Sequence, residues 1–519
     1  MRLFKNTAIV GAMTLLSRIL GLVRDLVFAR VFGVSGATDA FFVAFRIPNF
    51  LRRLFAEGSF SLAFVPVLAQ IKARNDAAEL RAFVAHVGGT LAGILLVVTG
   101  IGCLASPALV AVFAPGFVDE PEKFALTSDL LRITFPYILL ISLAGFAGGI
   151  LNSFNRFVLP AISPVLLNVA MIAAALYGAP YFAEPITALA WGVIAGGTLQ
   201  LALQIPGLMQ LRLLPRPRWG WRDSGVRRVL TLMIPTLFGS SVAQINLLID
   251  TLIASLLMSG SVTWLYYTDR LLEFPLGIFG VALGTVILPH LSAKHAEKDP
   301  VAFSRSVDWG LRVGLFISIP AMVALVVLAA PMFWTLFGYG RFGERDVVMS
   351  ALSLSMLAMG LPAFIAVKVL APAFYARQDT MTPVKAGIAS MVSNMVLNGI
   401  IVFAWTRSGR EGAHAGLALS SALAGYINAG LLYYWLRKGN HFVPDGGWRR
   451  WFLAVSAGGV TMGFAIWLLL AELPSFGREP ATMRAVFLAF LIASGGAIYL
   501  AIAALCGVRV RHLLDRSAT

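Results

Sequence analysis

The sequence predicts an all-α integral membrane protein of fourteen transmembrane helices: two pseudo-symmetric six-helix lobes followed by two C-terminal helices. Three observations carry that fold class. Of the 519 residues, 58% are apolar and only 13% charged, whereas a soluble domain is about a quarter charged. The apolar runs are continuous and rich in Leu, Ala and Gly, and each reaches the roughly 20 residues that a helix needs to cross hydrocarbon. Short alternating segments of the barrel type do not occur, which leaves helices as the structure able to satisfy its own backbone in lipid. Finally, landmarks of the first half recur about 224 residues later.

Taken in order, the first lobe comprises runs 7–33, 40–70, 83–113, 126–151, 157–178 and 185–211. The second comprises 228–257, 263–289, 306–336, 348–374, 384–405 and 413–436, and the extra pair is 451–472 and 483–506. The start imitates a signal peptide, with Arg2 and Lys5 before an apolar stretch. Arg18 interrupts that stretch and no small-residue cleavage site follows, so an uncleaved first helix is expected. The resulting division is 1–212 for the N-lobe, 213–227 for a basic interfacial linker, 228–438 for the C-lobe and 439–519 for the final pair with a short tail.

Loop charge sets the orientation. Basic residues in loops on the side of the termini outnumber those opposite by roughly three to one, which places both termini in the cytoplasm. The same bias accounts for the net charge of +16 and removes the reason to invoke nucleic acid. The segment from Arg212 to Arg228, with Trp219 and Trp221, is expected to lie along the inner interface, its guanidinium groups facing anionic membrane lipid and its indoles at headgroup depth. Cys103 and Cys506, the two cysteines, both sit in apolar runs. They are too few for a disulfide framework or a four-Cys metal site.

Four echoes support duplication: Asp25 with Asp250, Arg46 with Arg270, the Pro66 and Pro289 span ends, and the Arg156/Pro160 and Arg377/Pro383 loops. A shift of six spans preserves direction, so the lobes are expected to be parallel repeats about an axis along the membrane normal, with a cavity between them.

The charges inside the spans are the most informative feature. Arg18, Arg24 and Asp25 share a face of span 1 with Ser17 and Gly21, given about 100° per residue. On span 2, Arg46, Asn49, Arg53 and Glu57 form a stripe flanked by Arg52, and Asp39 sits at its outer mouth. On span 8, Asp269 and Glu273 are i,i+4 neighbours and Arg270 reaches Glu273 at i,i+3. Buried ion pairs are the competing explanation, with Arg53–Glu57 and Arg270–Glu273 as natural partners. Six arginines (18, 24, 46, 52, 53 and 270) nevertheless face four acids (25, 57, 269 and 273). A surplus of buried cations is costly without an anionic ligand, and arginine over lysine suits bidentate recognition of phosphate. An amphipathic anion with a phosphate head and a hydrocarbon tail along the last two helices fits these features.

Catalytic chemistry lacks its usual residues. The six histidines are scattered at span ends, and no Gly-rich phosphate loop ending in Lys-Ser/Thr is present. A drug exporter would more often line its cavity with acids. A transporter, not an enzyme, is expected.

Particular motifs then resemble a known family. Ser17-Arg-Ile-Leu-Gly-Leu-Val-Arg-Asp25, Ala37-Thr-Asp-Ala-Phe-Phe-Val-Ala-Phe45 and Pro48-Asn-Phe-Leu-Arg-Arg-Leu-Phe-Ala-Glu-Gly58 look like the lipid II flippase family MurJ (MviN). So do Phe64-Val-Pro66, Ala114-Pro-Gly-Phe117, Tyr266-Tyr267, Asp269-Arg270 and Lys368-Val-Leu-Ala-Pro372 with Phe374-Tyr375. The resemblance covers essentially the whole chain. It implies the multidrug/oligosaccharidyl-lipid/polysaccharide exporter fold and movement of the undecaprenyl-pyrophosphate-linked peptidoglycan precursor, lipid II, between leaflets of the bacterial inner membrane by alternating access. An exporter of another polyprenyl-linked oligosaccharide is the alternative. Family cavity arginines match Arg18, Arg24, Arg52 and Arg270, functional acids match Asp39 and Glu57, and Asn49 and Glu273 fall on cavity positions. Thr263 stands where the family has a serine. No cofactor is expected. Coupling to membrane potential or to sodium is expected, with Asp250, Asn394 and Asn398 as oxygen donors for the ion. A monomer is expected, with cell-wall synthesis proteins as candidate partners.

Overall fold

The computed structural model describes residues 2–53, 60–74, 76–473 and 476–508. Their regular secondary structure is helical, with no β-strand among the described residues. The chain forms two compact units, residues 1–263 and 264–519.

The first unit contains α1 (Arg2–Phe32), α2 (Gly36–Arg52), α3 (Ser61–Ala73), α4 (Ala77–Leu104), α5 (Ser106–Phe113), α6 (Pro121–Thr134), α7 (Tyr137–Ser153), α8 (Val158–Ala173), α9 (Thr187–Gln210) and α10 (Ser224–Ser255). The second begins within α11 (Ser261–Pro275) and continues with α12 (Val281–Ala296), α13 (Pro300–Val327), α14 (Ala329–Leu336), α15 (Glu344–Ala358), α16 (Leu361–Tyr375), α17 (Met381–Arg407), α18 (His414–Lys438), α19 (Trp448–Ala471) and α20 (Ala481–Leu505). The described residues of the fourteen apolar runs fall largely on helix. Ten helical segments are long and apolar enough to cross a membrane, or eleven if α15 and α16, bent by 41°, count as one span. By length alone α1 and α10, at 31 and 32 residues, also suffice.

The duplication shows in where helices break. The step from α4 to α5 at Ala105 is matched at Leu328 between α13 and α14. The break before α7 at Phe135–Pro136 is matched at Met359–Gly360 before α16. Both lie at the offset of the sequence echoes. Proline contributes: Pro107 and Pro136 cannot donate a helical hydrogen bond.

Within the first unit α1 packs on α8, α2 on α6, α8 and α7 on α9, and α10 on α3 and α4. These contacts group α10 with the first unit, although the sequence places it in the second repeat. A core of Phe60, Phe64, Phe83 and Phe146 joins α3, α4 and α7. Within the second unit α17 packs on α18, α13 on α16, and α19 on α20 and α13. The final pair is pinned at its start: Asp308 accepts from the Trp448 indole at 2.6 Å and from Arg312 at 2.7 Å.

The linker is an extended strand of chain laid across α4. Residues 213–220 have no helix, the Arg218 N–H donates to the Ala85 carbonyl at 3.2 Å, and the Gly220 N–H donates to Thr90 at 3.0 Å. Gly89 permits the crossing, because a Cβ there would lie 2.4 Å from the Arg218 backbone. Trp219 and Trp221 stack at 6.2 Å and remain exposed.

Candidate functional site

On α1 the predicted face forms, and it packs against α8. Arg24 is 6% exposed and Asp25 1%. The Arg24 guanidinium donates through Nε at 3.0 Å and Nη2 at 2.8 Å to Asp25 Oδ1, and through Nη1 at 3.1 Å to Asn168 Oδ1. Asn168 in turn donates to the Ser17 carbonyl at 3.1 Å. The adjacent residue thus serves as a counter-ion. Arg18, nearly two turns earlier, is exposed.

Along α2 the polar stripe is hydrogen-bonded to itself and to α10. Arg46 donates to Thr251 of α10. Asn49 donates to the Phe45 carbonyl at 3.1 Å and accepts from Arg52 Nε at 3.1 Å. Arg53 is exposed at the helix end. Glu57, the expected partner of Arg53, lies outside the described residues.

Asp39 is wholly buried in the first turn of α2 and gathers donors from the chain after α10. It accepts from the Gly260 N–H at 2.6 Å, the Thr263 N–H at 2.9 Å and the Thr263 hydroxyl at 2.6 Å. Lys123 of α6 stands 3.7 Å away. Lys123 is buried, only 7% exposed. Arg484, in the second unit, is also buried and donates to the Trp334 carbonyl at 2.6 Å.

In the second unit Arg270 and Glu273 form the expected i,i+3 pair at 2.9 Å. Arg270 also donates to the Tyr266 hydroxyl at 3.3 Å and lies over that ring. Its side chain keeps 31% exposure and that of Glu273 57%, so the pair remains accessible to a ligand. Asp269 is half-buried beside it. The proposed ion ligands divide between the units: Asp250 in the first accepts from Asn246 at 3.4 Å, while Asn394 and Asn398 are buried on α17 of the second. No cluster of three His, Cys, Asp or Glu side chains that could hold a metal occurs among the described residues.

Sequence alone gave no role to Asn168, Thr251, Ser259 or Lys123. Neutral polar residues in apolar helices carry no charge signal. Lys123 carries a weak one: a cation in the first turn of a helix opposes the macrodipole and implies a partner elsewhere.

In each unit, arginines on a polar helix face suit an anionic ligand. Comparisons agree with that chemistry. The family model described as lipid II flippase MurJ matches residues 28–479. A lipid II flippase MurJ of Burkholderia cenocepacia is 44% identical, over 90% of each chain. MurJ-named relatives from Vibrio cholerae and Haemophilus influenzae are 47% and 45% identical, covering 99% and 97% of this chain and 98% and 100% of their own. A solved structure of lipid II flippase MurJ in an inward closed conformation superposes with a TM-score of 0.78 at 26% identity, covering 96% of this chain and 98% of that one. A multidrug transporter of the MATE family, inward-facing, shares the fold alone, with a TM-score of 0.64 at 12% identity over 83% of this chain and 98% of that one. With the model matched over most of its length and full-length relatives well above 40% identical, the chain belongs to the lipid II flippase MurJ family.

Proposed function

We propose that this multi-pass membrane protein moves lipid II from the inner to the outer leaflet of the bacterial cytoplasmic membrane by alternating access, as a transporter and not an enzyme. The observation that carries the proposal is the full-length match to relatives named lipid II flippase. The pyrophosphate is the group for which Arg18, Arg46, Arg52, Arg53 and Arg270 are suited, since guanidinium pairs bidentately with phosphate oxygens. Arg24 is held by Asp25 and Asn168, so its contribution is a charge in a fixed position. The α19–α20 pair, carrying Phe464, Trp467 and Phe490 on exposed surface, is where the hydrocarbon tail would lie.

An inside-negative potential of 100 mV contributes about 2.3 kcal/mol per charge moved across it. It drives the anion outward and returns an emptied cationic site. Sodium, held by Asp250, Asn394 and Asn398, is the alternative coupling. Both termini face the cytoplasm and a single chain is the working unit.

The test is a leaflet-resolved assay of fluorescent lipid II in proteoliposomes. Protein-dependent appearance of the label in the opposite leaflet is expected. Movement no faster than in protein-free vesicles would end the proposal.

A further inference from the structure

In lipid, helices gain no hydrophobic attraction for one another, so a pair added to a bundle stays in place by close packing and polar contacts. The α19–α20 pair makes both kinds with α13 and α14 of its own unit. Along its middle, α19 approaches α13 closely: a Cβ on Gly463 would stand 2.5 Å from Val323 Cγ1. The Tyr499 hydroxyl of α20 donates to the Phe316 carbonyl at 2.7 Å. Arginines hold the two ends. At the start of α19, Arg312 donates to Asp308 at 2.7 Å and to the Gly446 carbonyl at 3.0 Å, and lies 5.0 Å over the Trp448 ring. Asp308, 3% exposed, also accepts from the Trp448 indole and the Asp445 N–H. Near the start of α20, Arg484 donates to the Trp334 carbonyl in the last turn of α14 and lies 4.6 Å over the Tyr339 ring. Gly446 and Gly447, the latter at φ 83°, make the entry to α19 a swivel that the backbone alone does not fix. Elsewhere the surface of the pair is apolar and exposed, with Val460, Phe464, Trp467, Phe490 and Ile492.

We propose that Arg312 and Arg484 are positioning residues for the hydrocarbon tail of the transported lipid. By fixing both ends of α19–α20 they keep the apolar surface that takes the tail at a set spacing from Arg270, which belongs to the same unit and is suited to the head. A ligand held at head and tail is bivalent, and its second contact strengthens the first only while the geometry allows both at once. Arginine suits the task because its guanidinium donates to several acceptors while stacking on an aromatic face. Without these two side chains the pair keeps its packing along the middle, but its ends are free to swing and the tail loses part of its contact. The tail assignment rests on the flippase reading.

The test compares two radiolabelled probes with one polar head and different tails, undecaprenyl pyrophosphate and farnesyl pyrophosphate, bound to the full chain in phosphatidylcholine nanodiscs. Taking each variant relative to the starting protein cancels the partitioning of the probes into lipid. Losing the contact of about one methylene weakens binding about fourfold. Arg312→Met and Arg484→Met should each weaken the long-tailed probe by about that factor, and together by about fifteenfold, because the two ends are far enough apart to act independently. Binding of the short-tailed probe should stay unchanged. Trp448→Phe, which keeps the ring and removes the indole donor, should show the same selective loss and decides the matter if an arginine variant does not fold. Equal loss of both probes would reduce the arginines to a structural role and overturn the proposal, as would unchanged binding of the long-tailed probe. If the starting protein binds neither probe, the flippase reading fails and takes this inference with it.

Discussion

Replacing Arg24 separates its two roles, as a partner of Asp25 and as a charge offered to the transported headgroup. The side chains of Arg24 and Asp25 are 8% and 1% exposed and meet at 2.8 Å, so Arg24→Met takes a cation from a buried carboxylate. Breaking such a pair costs about 3–5 kcal/mol. Asp25→Leu takes the adjacent acid from the guanidinium at similar cost. The double variant Arg24→Met/Asp25→Leu removes both charges together and takes the Arg24 donor from Asn168 Oδ1, the latter a loss of about 1–3 kcal/mol. The single losses should therefore be non-additive by at least about 2 kcal/mol. Thermal unfolding in one detergent measures this, and the fluorescent lipid II assay run in parallel measures transport. The stable double variant is expected to remain inactive, because apolar residues restore packing and not the cation. Arg24→Met as stable as the starting protein would refute the pairing, and wild-type transport by the double variant would refute a role for the guanidinium in transport.

Other perturbations address the linker and the loops. Gly89→Ala forces a Cβ against the Arg218 backbone and should cost about 1–3 kcal/mol, with faster tryptic cleavage after Arg218 as the linker lifts from α4. Asp223 caps α10 through the Gly225 and Val226 N–H groups, so Asp223→Ala should lower stability by about 1 kcal/mol in a melting experiment. Asp379, in the loop before α17, has its carboxyl held below 3.8: burial pushes upward, but the Thr382 hydroxyl and N–H, with Arg377, outweigh it. A depressed carboxyl contributes stability above 3.8 that fades as pH falls through its folded value. Asp379→Asn should flatten that acid limb, and an unchanged melting profile against pH would contradict it.

Much of this fold was legible because lipid imposes so strict a constraint on sequence. The described residues of the apolar runs lie largely on helix, and the repeat offset visible in Asp25/Asp250 reappears in the helix breaks at Ala105 and Leu328. The Arg270–Glu273 pair followed from helical spacing alone. Partnership across helices was less legible. A face of span 1 could be drawn from 100° steps, but not that Asn168, a neutral residue 144 positions on, would occupy it. Arg312, a cation inside the run 306–336, is architectural, joining Asp308 and Trp448 at the start of α19.

Lys123 shows why charge counting misplaces some residues and how local physics can recover them. The positive-inside rule treats loop cations as interchangeable. A lysine in the first turn of α6, after Pro121, faces the positive end of the helix dipole and lacks the stabilisation that an acid there would gain. A residue that breaks a local rule points to a partner. Lys123 has two: Glu120, one turn back at 3.4 Å and exposed, and Asp39, buried at 3.7 Å in the first turn of α2, where a helix end favours an acid. The buried acid is the stronger partner, because water screens the exposed one. Asp39 also gathers the Gly260 and Thr263 donors, and Lys123 holds Ser259, so the segment 255–263 rests on both charges. Neutralising Lys123 should therefore lower the melting temperature more than neutralising an exposed lysine such as Lys438, and equal melting temperatures would contradict it.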